Sequence, residues 1–131
     1  MDKCVLIVDD NDFNRELVKD ILEDEDITVY EAEDGSSAIE LLESEQADDI
    51  DVVLMDMRMP GMDGIETCSE IRKQPFLADT IVIFLTARGE DYSQIAGFEA
   101  GADDYVTKPV KPKVLVSRVK ALLRRLTFNN A

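Results

Sequence analysis

The sequence predicts an α/β domain with a doubly wound parallel sheet of five strands and five helices. Short apolar runs alternate along the 131 residues with longer segments in which apolar residues recur at helical spacing. Three of the runs are continuous, without polar alternation, as is typical of parallel strands covered on both faces. Because strands and helices alternate, every strand should run in the same direction, with helices on both faces of the sheet.

The first two strand–helix pairs occupy the start of the chain. A strand at Cys4–Val8 ends at Asp9–Asp10, and Asn11–Asp12 can cap the helix that follows. A second strand at Thr28–Ala32 leads through a turn at Asp34–Ser36 into a second helix. The expected buried stripes are Phe13, Leu17, Ile21 and Leu22 in the first helix, and Ala38, Ile39, Leu41 and Leu42 in the second.

The middle of the chain adds two apolar strands that each end at a polar residue. The strand Val52–Met55 ends at Asp56, and a turn at Pro60–Gly61 follows it. The strand Ile81–Leu85 ends at Thr86. The third helix lies between these two strands, and its apolar face consists of Ile65, Cys68 and Ile71.

The sequence of the last part of the chain predicts two further helices, one on each side of a short strand. The segment Gly89–Gly101 is the weaker helix, because its apolar stripe is poorly defined. A strand at Asp104–Val106 stops at Thr107–Pro109, and the final helix follows at Pro112–Leu126. The buried face of that helix is predicted to consist of Leu115, Val119, Leu122 and Leu126.

Composition excludes several classes of protein. The length indicates a single domain, at residues 1–126 with a tail at 127–131. The net charge of −15 disfavours direct nucleic-acid binding. With no histidine and two cysteines, zinc sites, histidine-based triads and disulfide frameworks are disfavoured. The chain shows neither an apolar run of membrane-span length nor a signal-peptide pattern, so we expect a cytoplasmic protein without membrane attachment.

Polar residues that follow four of the predicted strands should meet at one edge of the sheet. In an open parallel sheet, the carboxyl ends of the strands form the crevice in which ligands bind. Taken singly, each of these residues is more typical of a helix cap, a turn or a solvated surface. Together they form a candidate site, which consists of Asp9, Asp10, Asp56, Thr86 and Lys108.

The composition of this candidate site favours phosphoryl transfer to Asp56. Three carboxylates repel one another, and an all-oxygen ligand set suits Mg²⁺. The formal charges of the three carboxylates, Mg²⁺ and Lys108 sum to zero, yet cationic centres remain beside Asp56. An aspartate carboxylate in such surroundings is a competent nucleophile toward phosphorus and forms an acyl phosphate.

Four motifs extend this interpretation to a family resemblance. They are V-L-I-V-D-D near the start, L-M-D-M-R-M-P-G-M-D-G, F-L-T-A, and G-A-D-D-Y-V-T-K-P. With these motifs in this order, the chain resembles the receiver domains of bacterial two-component response regulators over essentially all of Lys3–Arg125. The resemblance implies a flavodoxin-like fold with the strand order 2-1-3-4-5.

The resemblance also implies a role for each residue at the acidic end of the site. Asp56 would be the phosphoacceptor, and it would receive the phosphoryl group from a histidine kinase, a phosphotransfer protein or a small donor such as acetyl phosphate. Asp10 and Asp56 would bind Mg²⁺ directly. Asp9 would assist, and the backbone carbonyl of Arg58 would complete the protein ligands.

The remaining family roles concern phosphoryl binding and signal output. Lys108 and Thr86 would bind the phosphoryl oxygens together with the backbone N–H of Ala87, and Lys108–Pro109 would be a cis peptide. Thr86 would then move inward and Tyr105 would rotate, which changes the surface formed by the fourth helix, fifth strand and fifth helix. We therefore expect a phosphorylation-activated switch, not an enzyme, although it would assist its own phosphorylation and slow dephosphorylation.

Two expectations concern positions at which members of the family differ. Arg58 and Arg88 lie two residues beyond Asp56 and Thr86, and they could shield an acyl phosphate from water. The C-terminal part resembles receivers that dimerise through charged pairs, so a homodimer could form on phosphorylation. The residues concerned are Asp104, Arg118 and Arg125, whereas Val114 replaces the acidic residue found in many such receivers.

Two alternative functions remain open from the sequence. One is a Mg²⁺-dependent phosphohydrolase of the haloacid-dehalogenase type, in which a second aspartate follows the nucleophile by two residues. Arg58 occupies that position here, which argues against rapid turnover. The other is a receiver-like scaffold that acts without phosphorylation. A nucleotide-binding domain is disfavoured, because neither glycine-rich phosphate-binding motif follows the first strand.

Overall fold

The computed structural model describes residues 3–44, 50–59, 61–87, 95 and 98–129, and within them it contains one five-stranded parallel sheet. The strand order is β2-β1-β3-β4-β5, so the predicted fold and strand order are confirmed. The strands are β1 (Cys4–Val8), β2 (Thr28–Ala32), β3 (Val52–Asp56), β4 (Ile81–Ala87) and β5 (Asp104–Lys108).

Four α-helices lie within the described residues, one fewer than the sequence predicts. The predicted fourth helix at Gly89–Gly101 falls mostly outside them, although Ile95, Phe98 and Glu99 have helical backbone. The final helix runs to Asn129, beyond the predicted end at Leu126, so the domain boundary at residue 126 stays a prediction. The four helices are α1 (Asp12–Glu23), α2 (Gly35–Leu42), α3 (Gly64–Lys73) and the C-terminal helix (Pro112–Asn129).

Three of the helices begin at a side-chain cap. Asn11, Asp34 and Asp63 have extended backbone, and each side chain accepts a hydrogen bond from the backbone N–H three residues later. These bonds satisfy N–H groups that the first helical turn leaves without a partner. Asn11 and Asp34 closely follow the ends of β1 and β2, so these two caps fix where the chain turns at the carboxyl edge of the sheet.

The two faces of the sheet carry separate hydrophobic cores. All residues of β1 and β3 are buried, as expected for central strands covered on both faces. On one face α2 and α3 contribute Ala38, Leu42, Cys68 and Ile71. On the other face α1 and the C-terminal helix contribute Val18, Leu22, Leu115, Val119, Leu122 and Leu123. In the part of the chain described, no helix combines the length and the apolar character that crossing a membrane requires.

The predicted buried stripe of α1 is wrong at two positions. Phe13 is 75% exposed and Leu17 is 45% exposed, whereas Val18 and Leu22 are buried. Adjacent residues in a helix point about 100° apart, so a stripe through Val18 leaves Leu17 on the flank. The spacing of apolar residues allows both stripes, and contact with the C-terminal helix selects the one through Val18.

Arg72, near the end of α3, ties together segments that are distant in sequence. Its guanidinium donates to the carbonyl oxygen of Gly101 at 3.0 and 2.6 Å, and to the carboxylate of Asp103 at 3.1 Å. It also donates to the carbonyl oxygens of Ala78 and Thr80 before β4. One side chain therefore holds the chain entering β4 and the chain entering β5.

Replacing Arg72 with alanine should lower the free energy of unfolding by about 3 kcal/mol, because the part-buried carbonyl groups of Gly101 and Thr80 and the carboxylate of Asp103 lose a charged donor. Urea unfolding followed by circular dichroism measures the effect. The matched control is Arg118→Ala, which breaks the exposed ion pair with Asp104 and should cost less than about 1 kcal/mol. Equal losses of unfolding free energy in both variants would contradict the role of Arg72 in holding the chain that enters β4 and β5.

Candidate functional site

The strand register brings the predicted site residues to one edge of the sheet. Val8 pairs with Met55, so Asp9 and Asp56 follow adjacent positions of β1 and β3. Asp56 in turn pairs with Leu85 of β4. The carboxyl ends of these strands form the crevice in which open α/β sheets bind their ligands.

Asp9, Asp10 and Asp56 form an acidic cluster at this edge. One carboxylate oxygen from each residue lies within 4.8 Å of the other two. Asp9 and Asp56 are buried, whereas Asp10 is exposed. The three carboxylates that the sequence places at strand ends are therefore brought together.

The acidic cluster fits a hard divalent cation. Asp9 Oδ1 accepts a hydrogen bond from the backbone N–H of Asn11 at 2.9 Å. Asp9 Oδ2 is buried and has no hydrogen-bond partner within the described part of the chain. A buried carboxylate oxygen without a partner is costly, and a metal ion would satisfy it. Three carboxylates with one exposed side suit Mg²⁺, which favours oxygen ligands and retains water.

The cluster also affects the protonation of Asp9. Burial raises the pKa of Asp9, as do the charges of Asp56 and Asp10, while the Asn11 N–H and Lys108 lower it. A carboxyl group with a raised pKa binds its proton more tightly in the folded state than in the unfolded state. The free energy of unfolding therefore falls as the pH rises from the unfolded-state pKa of Asp9 through its higher folded-state pKa. A bound cation would offset this loss, since it favours the ionised form.

Asp56 is held from two sides. Its Oδ2 lies 3.2 Å from Lys108 Nζ, and its Oδ1 accepts a hydrogen bond from the Arg58 backbone N–H at 3.3 Å. The Asp56 side chain is 12% exposed and that of Lys108 is 30% exposed. Lys108 therefore points into the cleft beside Asp56, as the sequence interpretation requires. The predicted cis peptide at Lys108–Pro109 is confirmed.

Thr86 and Ala87 lie at the end of β4, next to the acidic cluster. Thr86 is buried one position beyond Leu85, which is the register partner of Asp56. Ala87 is exposed and pairs with Lys108 on β5. Both residues belong to the strand itself, which is longer than predicted. Their position at the carboxyl edge agrees with the sequence interpretation, whereas their contact with a phosphoryl group stays a prediction.

Tyr105 lies farther along the same side of the sheet. It pairs in register with Phe84, and its ring packs edge-on against Phe98 with 5.6 Å between the ring centroids. Together with Met57 and Ala102, these three aromatic residues border a small pocket. Tyr105 is only partly buried.

The structure leaves several predicted roles untested. Arg58 is exposed, and Arg88 lies outside the described residues. Asp104 forms an ion pair with Arg118 of the same chain at 3.2 Å, while Arg125 and Val114 are exposed. Shielding of an acyl phosphate and formation of a homodimer therefore stay predictions.

Two residues that contact the site received no role from the sequence, although Gly64 is the last residue of one of the four motifs. Arg15 donates a hydrogen bond to the backbone carbonyl of Asp9 at 2.7 Å. Gly64 begins α3 directly against the end of β3, and a Cβ there would lie 2.6 Å from the carbonyl oxygen of Asp56. Arg15 follows Asp12 by one helical turn, but no sequence pattern distinguishes it from a solvated arginine.

Comparison with known protein families agrees with this geometry. The model of the response regulator receiver domain family matches residues 5–120 of the chain. The matched range includes every residue of the acidic cluster as well as Thr86, Tyr105 and Lys108.

Curated relatives include two transcriptional regulators. The transcriptional regulatory protein ResD of Bacillus subtilis is 47% identical over 122 residues, which cover 92% of this chain and 48% of that protein. The transcriptional regulatory protein SrrA of Staphylococcus aureus is 44% identical over 126 residues, which cover 95% of this chain and 49% of that protein. The chain thus spans about half the length of these relatives.

A solved structure shares the fold over nearly the whole chain. A CheY-like response regulator receiver domain protein from Methanospirillum hungatei superposes with a TM-score of 0.88 at 28% sequence identity. The match covers 98% of this chain and 99% of the other.

Proposed function

Because this chain belongs to the response regulator receiver domain family, we propose that it is a Mg²⁺-dependent signalling switch that accepts a phosphoryl group on Asp56. The observation that supports this proposal is the position of Asp56, which lies in one acidic cluster with Asp9 and Asp10 and 3.2 Å from the ammonium of Lys108. We further propose a histidine kinase or a phosphotransfer protein as donor, and cytoplasmic localisation.

The proposed reaction is a displacement at phosphorus. A carboxylate oxygen of Asp56 forms a bond to phosphorus as the phosphorus–nitrogen bond of a donor phosphohistidine breaks, and the released imidazole takes up a proton. Phosphoryl transfer depends mainly on positioning and on neutralising charge. Mg²⁺, when bound by Asp9, Asp10 and Asp56, would supply positive charge for the phosphoryl oxygens.

The chain's own groups serve this reaction in two ways. Lys108 lies 3.2 Å from Asp56, so its ammonium is within reach of oxygens on a phosphoryl group attached there. The Arg58 N–H orients the Asp56 carboxylate through its other oxygen. We also propose that the Ala87 N–H and the Thr86 hydroxyl bind phosphoryl oxygens, and that the Arg58 carbonyl serves as a metal ligand.

The proposed output begins with an increase in charge. Phosphorylation adds negative charge and acceptor oxygens at Asp56, which would draw Thr86 inward. Tyr105 would then rotate inward and give up its edge-on contact with Phe98. The change is a population shift between two packings of the surface around β5. The names of the curated relatives favour transcription as the eventual output. We also propose that a homodimer forms on phosphorylation.

Incubation with acetyl phosphate tests the proposal directly. We expect intact-mass spectrometry to detect one added phosphoryl group per chain in Mg²⁺ and none in EDTA. Sustained release of phosphate over many turnovers would instead favour the phosphohydrolase. A complete absence of phosphorylation in Mg²⁺ would favour the scaffold and contradict the proposed switch.

Replacing Lys108 with alanine should slow phosphorylation by acetyl phosphate about tenfold, because a part-exposed charged donor to the phosphoryl oxygens is lost. Initial rates of mass gain at saturating Mg²⁺ measure this effect. Lys120→Ala is the matched control, since it removes an equal charge from an exposed ion pair on the C-terminal helix. A rate unchanged in Lys108→Ala would remove Lys108 from the proposed mechanism.

A further inference from the structure

Arg15 joins three elements beside the acidic cluster. Its guanidinium donates to the backbone carbonyl oxygen of Asp9 at 2.7 Å, at the end of β1. It also donates to the carboxylate of Asp12 in the first turn of α1 and to that of Glu31 in β2, the latter at 3.3 Å. The Arg15 side chain is 15% exposed, and its bond to the Asp9 carbonyl is part-buried, whereas its bonds to Asp12 and Glu31 are exposed to water.

The contact with Asp9 bears on the geometry of the acidic cluster. The carbonyl of Asp9 belongs to the peptide bond that joins Asp9 to Asp10. Asp9 is also held through its N–H, which donates to the Ala32 carbonyl at 3.2 Å, and through Oδ1, which accepts from Asn11. Arg15 adds a restraint at the carbonyl oxygen, and this bond holds the plane of the peptide between Asp9 and Asp10.

A purely electrostatic role for Arg15 would have the opposite consequence. A positive charge near a cation site weakens cation binding by repulsion. Its removal would therefore tighten cation binding, whereas loss of a geometric restraint would weaken it. The charge of Arg15 is moreover offset by its two carboxylate partners, Asp12 and Glu31. The direction of the change in affinity thus separates the two roles.

We infer that Arg15 is a positioning residue for the cation site, acting through the Asp9 carbonyl. The inference rests on the proposed function, because it assumes that the acidic cluster binds Mg²⁺. Groups that orient metal ligands commonly contribute tenfold or more to metal affinity. Arg15 would have this effect without touching the metal.

Titration with Mg²⁺ followed by amide chemical shifts tests the inference on the apo protein. We expect Arg15→Ala to bind Mg²⁺ about tenfold more weakly than the wild type. Lys19→Ala is the matched control, since Lys19 pairs with the same Glu31 and does not contact Asp9. Its affinity should equal that of the wild type or be slightly tighter.

A third variant, Arg15→Lys, keeps the charge but replaces the planar fork by a single ammonium. The positioning role predicts intermediate affinity, whereas a charge role predicts wild-type affinity. Urea unfolding in EDTA shows whether Arg15→Ala folds. If it does not, the Mg²⁺ affinity of Arg15→Lys still distinguishes the positioning role from the charge role.

Unchanged or tighter binding in Arg15→Ala would overturn the inference. A matching loss in Lys19→Ala would overturn it as well, because the effect would then belong to Glu31. If the wild type itself fails to bind Mg²⁺, the proposed function loses its cation site and the inference falls with it. That outcome is distinct from failure of the Arg15 variants alone.

Discussion

Replacing Asp56 with asparagine is expected to reduce phosphorylation by acetyl phosphate to background. The amide oxygen is a poor nucleophile compared with a carboxylate, and no other carboxylate of the acidic cluster lies beside Lys108 in an ion pair within the described residues. Intact-mass spectrometry in saturating Mg²⁺ provides the measurement. The expected result is a mass gain in the wild type and none in Asp56→Asn.

The fold should survive this substitution. Asparagine has the shape of aspartate and can still accept the Arg58 N–H at Oδ1. The substitution removes the part-exposed ion pair with Lys108, which is destabilising, and it relieves repulsion from Asp9 and Asp10, which is stabilising. Because these effects oppose each other, the free energy of unfolding should change by less than about 1 kcal/mol. A loss of phosphorylation in a stably folded variant therefore reports on chemistry.

Asp20→Asn provides the matched control for Asp56→Asn. Asp20 is exposed on α1, so the same chemical change is made away from the acidic cluster. Its phosphorylation should match that of the wild type. Persistent phosphorylation of Asp56→Asn would assign the phosphoacceptor to another residue and contradict the proposed mechanism.

The sheet could be predicted from the sequence because its central strands carry the strongest signal. Val52–Met55 and Ile81–Leu85 are continuous apolar runs, and both are buried within β3 and β4. The strand ends were harder to predict, because Thr86 interrupts the apolar run and yet Thr86 and Ala87 still pair with β5. A strand ends where its pairing with the neighbouring strand ends. The sequence of one strand alone does not show how far that pairing extends.

Helix faces were harder to predict than strands. In α1 the residues Phe13 and Leu17 share helical spacing with Ile21, yet the buried positions are Val18 and Leu22. Two neighbouring stripes both satisfy a helical period when a helix has apolar residues on more than one side. Packing against another helix decides between them, and that information lies elsewhere in the chain.

The acidic cluster could be predicted because residues that follow neighbouring parallel strands lie close together at the same edge of the sheet. Asp9 and Asp56 are far apart in the chain, but each follows a parallel strand, and the strands are neighbours. Arg15 and Gly64 could not be found in this way, since both act on backbone carbonyl groups. Every residue type has a backbone carbonyl, so the sequence does not indicate which carbonyl a given side chain contacts.

Gly64 illustrates how closely the backbone is packed beneath the site. Its N–H donates to the carbonyl of Met57 at 3.0 Å, which brings the start of α3 against the end of β3. A Cβ at this position would lie 2.6 Å from the Asp56 carbonyl oxygen, 2.9 Å from Met57 Cα and 3.0 Å from the Phe84 ring. Two of these atoms belong to the backbone and the third to a buried ring, so none can yield easily.

Replacing Gly64 with alanine should therefore lower the free energy of unfolding by about 3 kcal/mol, because α3 must move away from β3. The same movement would displace Asp56 relative to Lys108, and phosphorylation should slow at least tenfold, since small misplacements of reacting groups carry large penalties. Urea unfolding and the rate of mass gain with acetyl phosphate measure the two effects on one preparation.

Gly61→Ala separates this steric effect from the ordinary consequences of removing a glycine. Gly61 has a positive φ of 75°, and an added Cβ would meet nothing within 4 Å. Alanine there should cost about 1 kcal/mol through backbone strain alone, with phosphorylation nearly unchanged. If both variants lost the same stability and rate, the tight contact between α3 and Asp56 would not be what holds the phosphoacceptor in place.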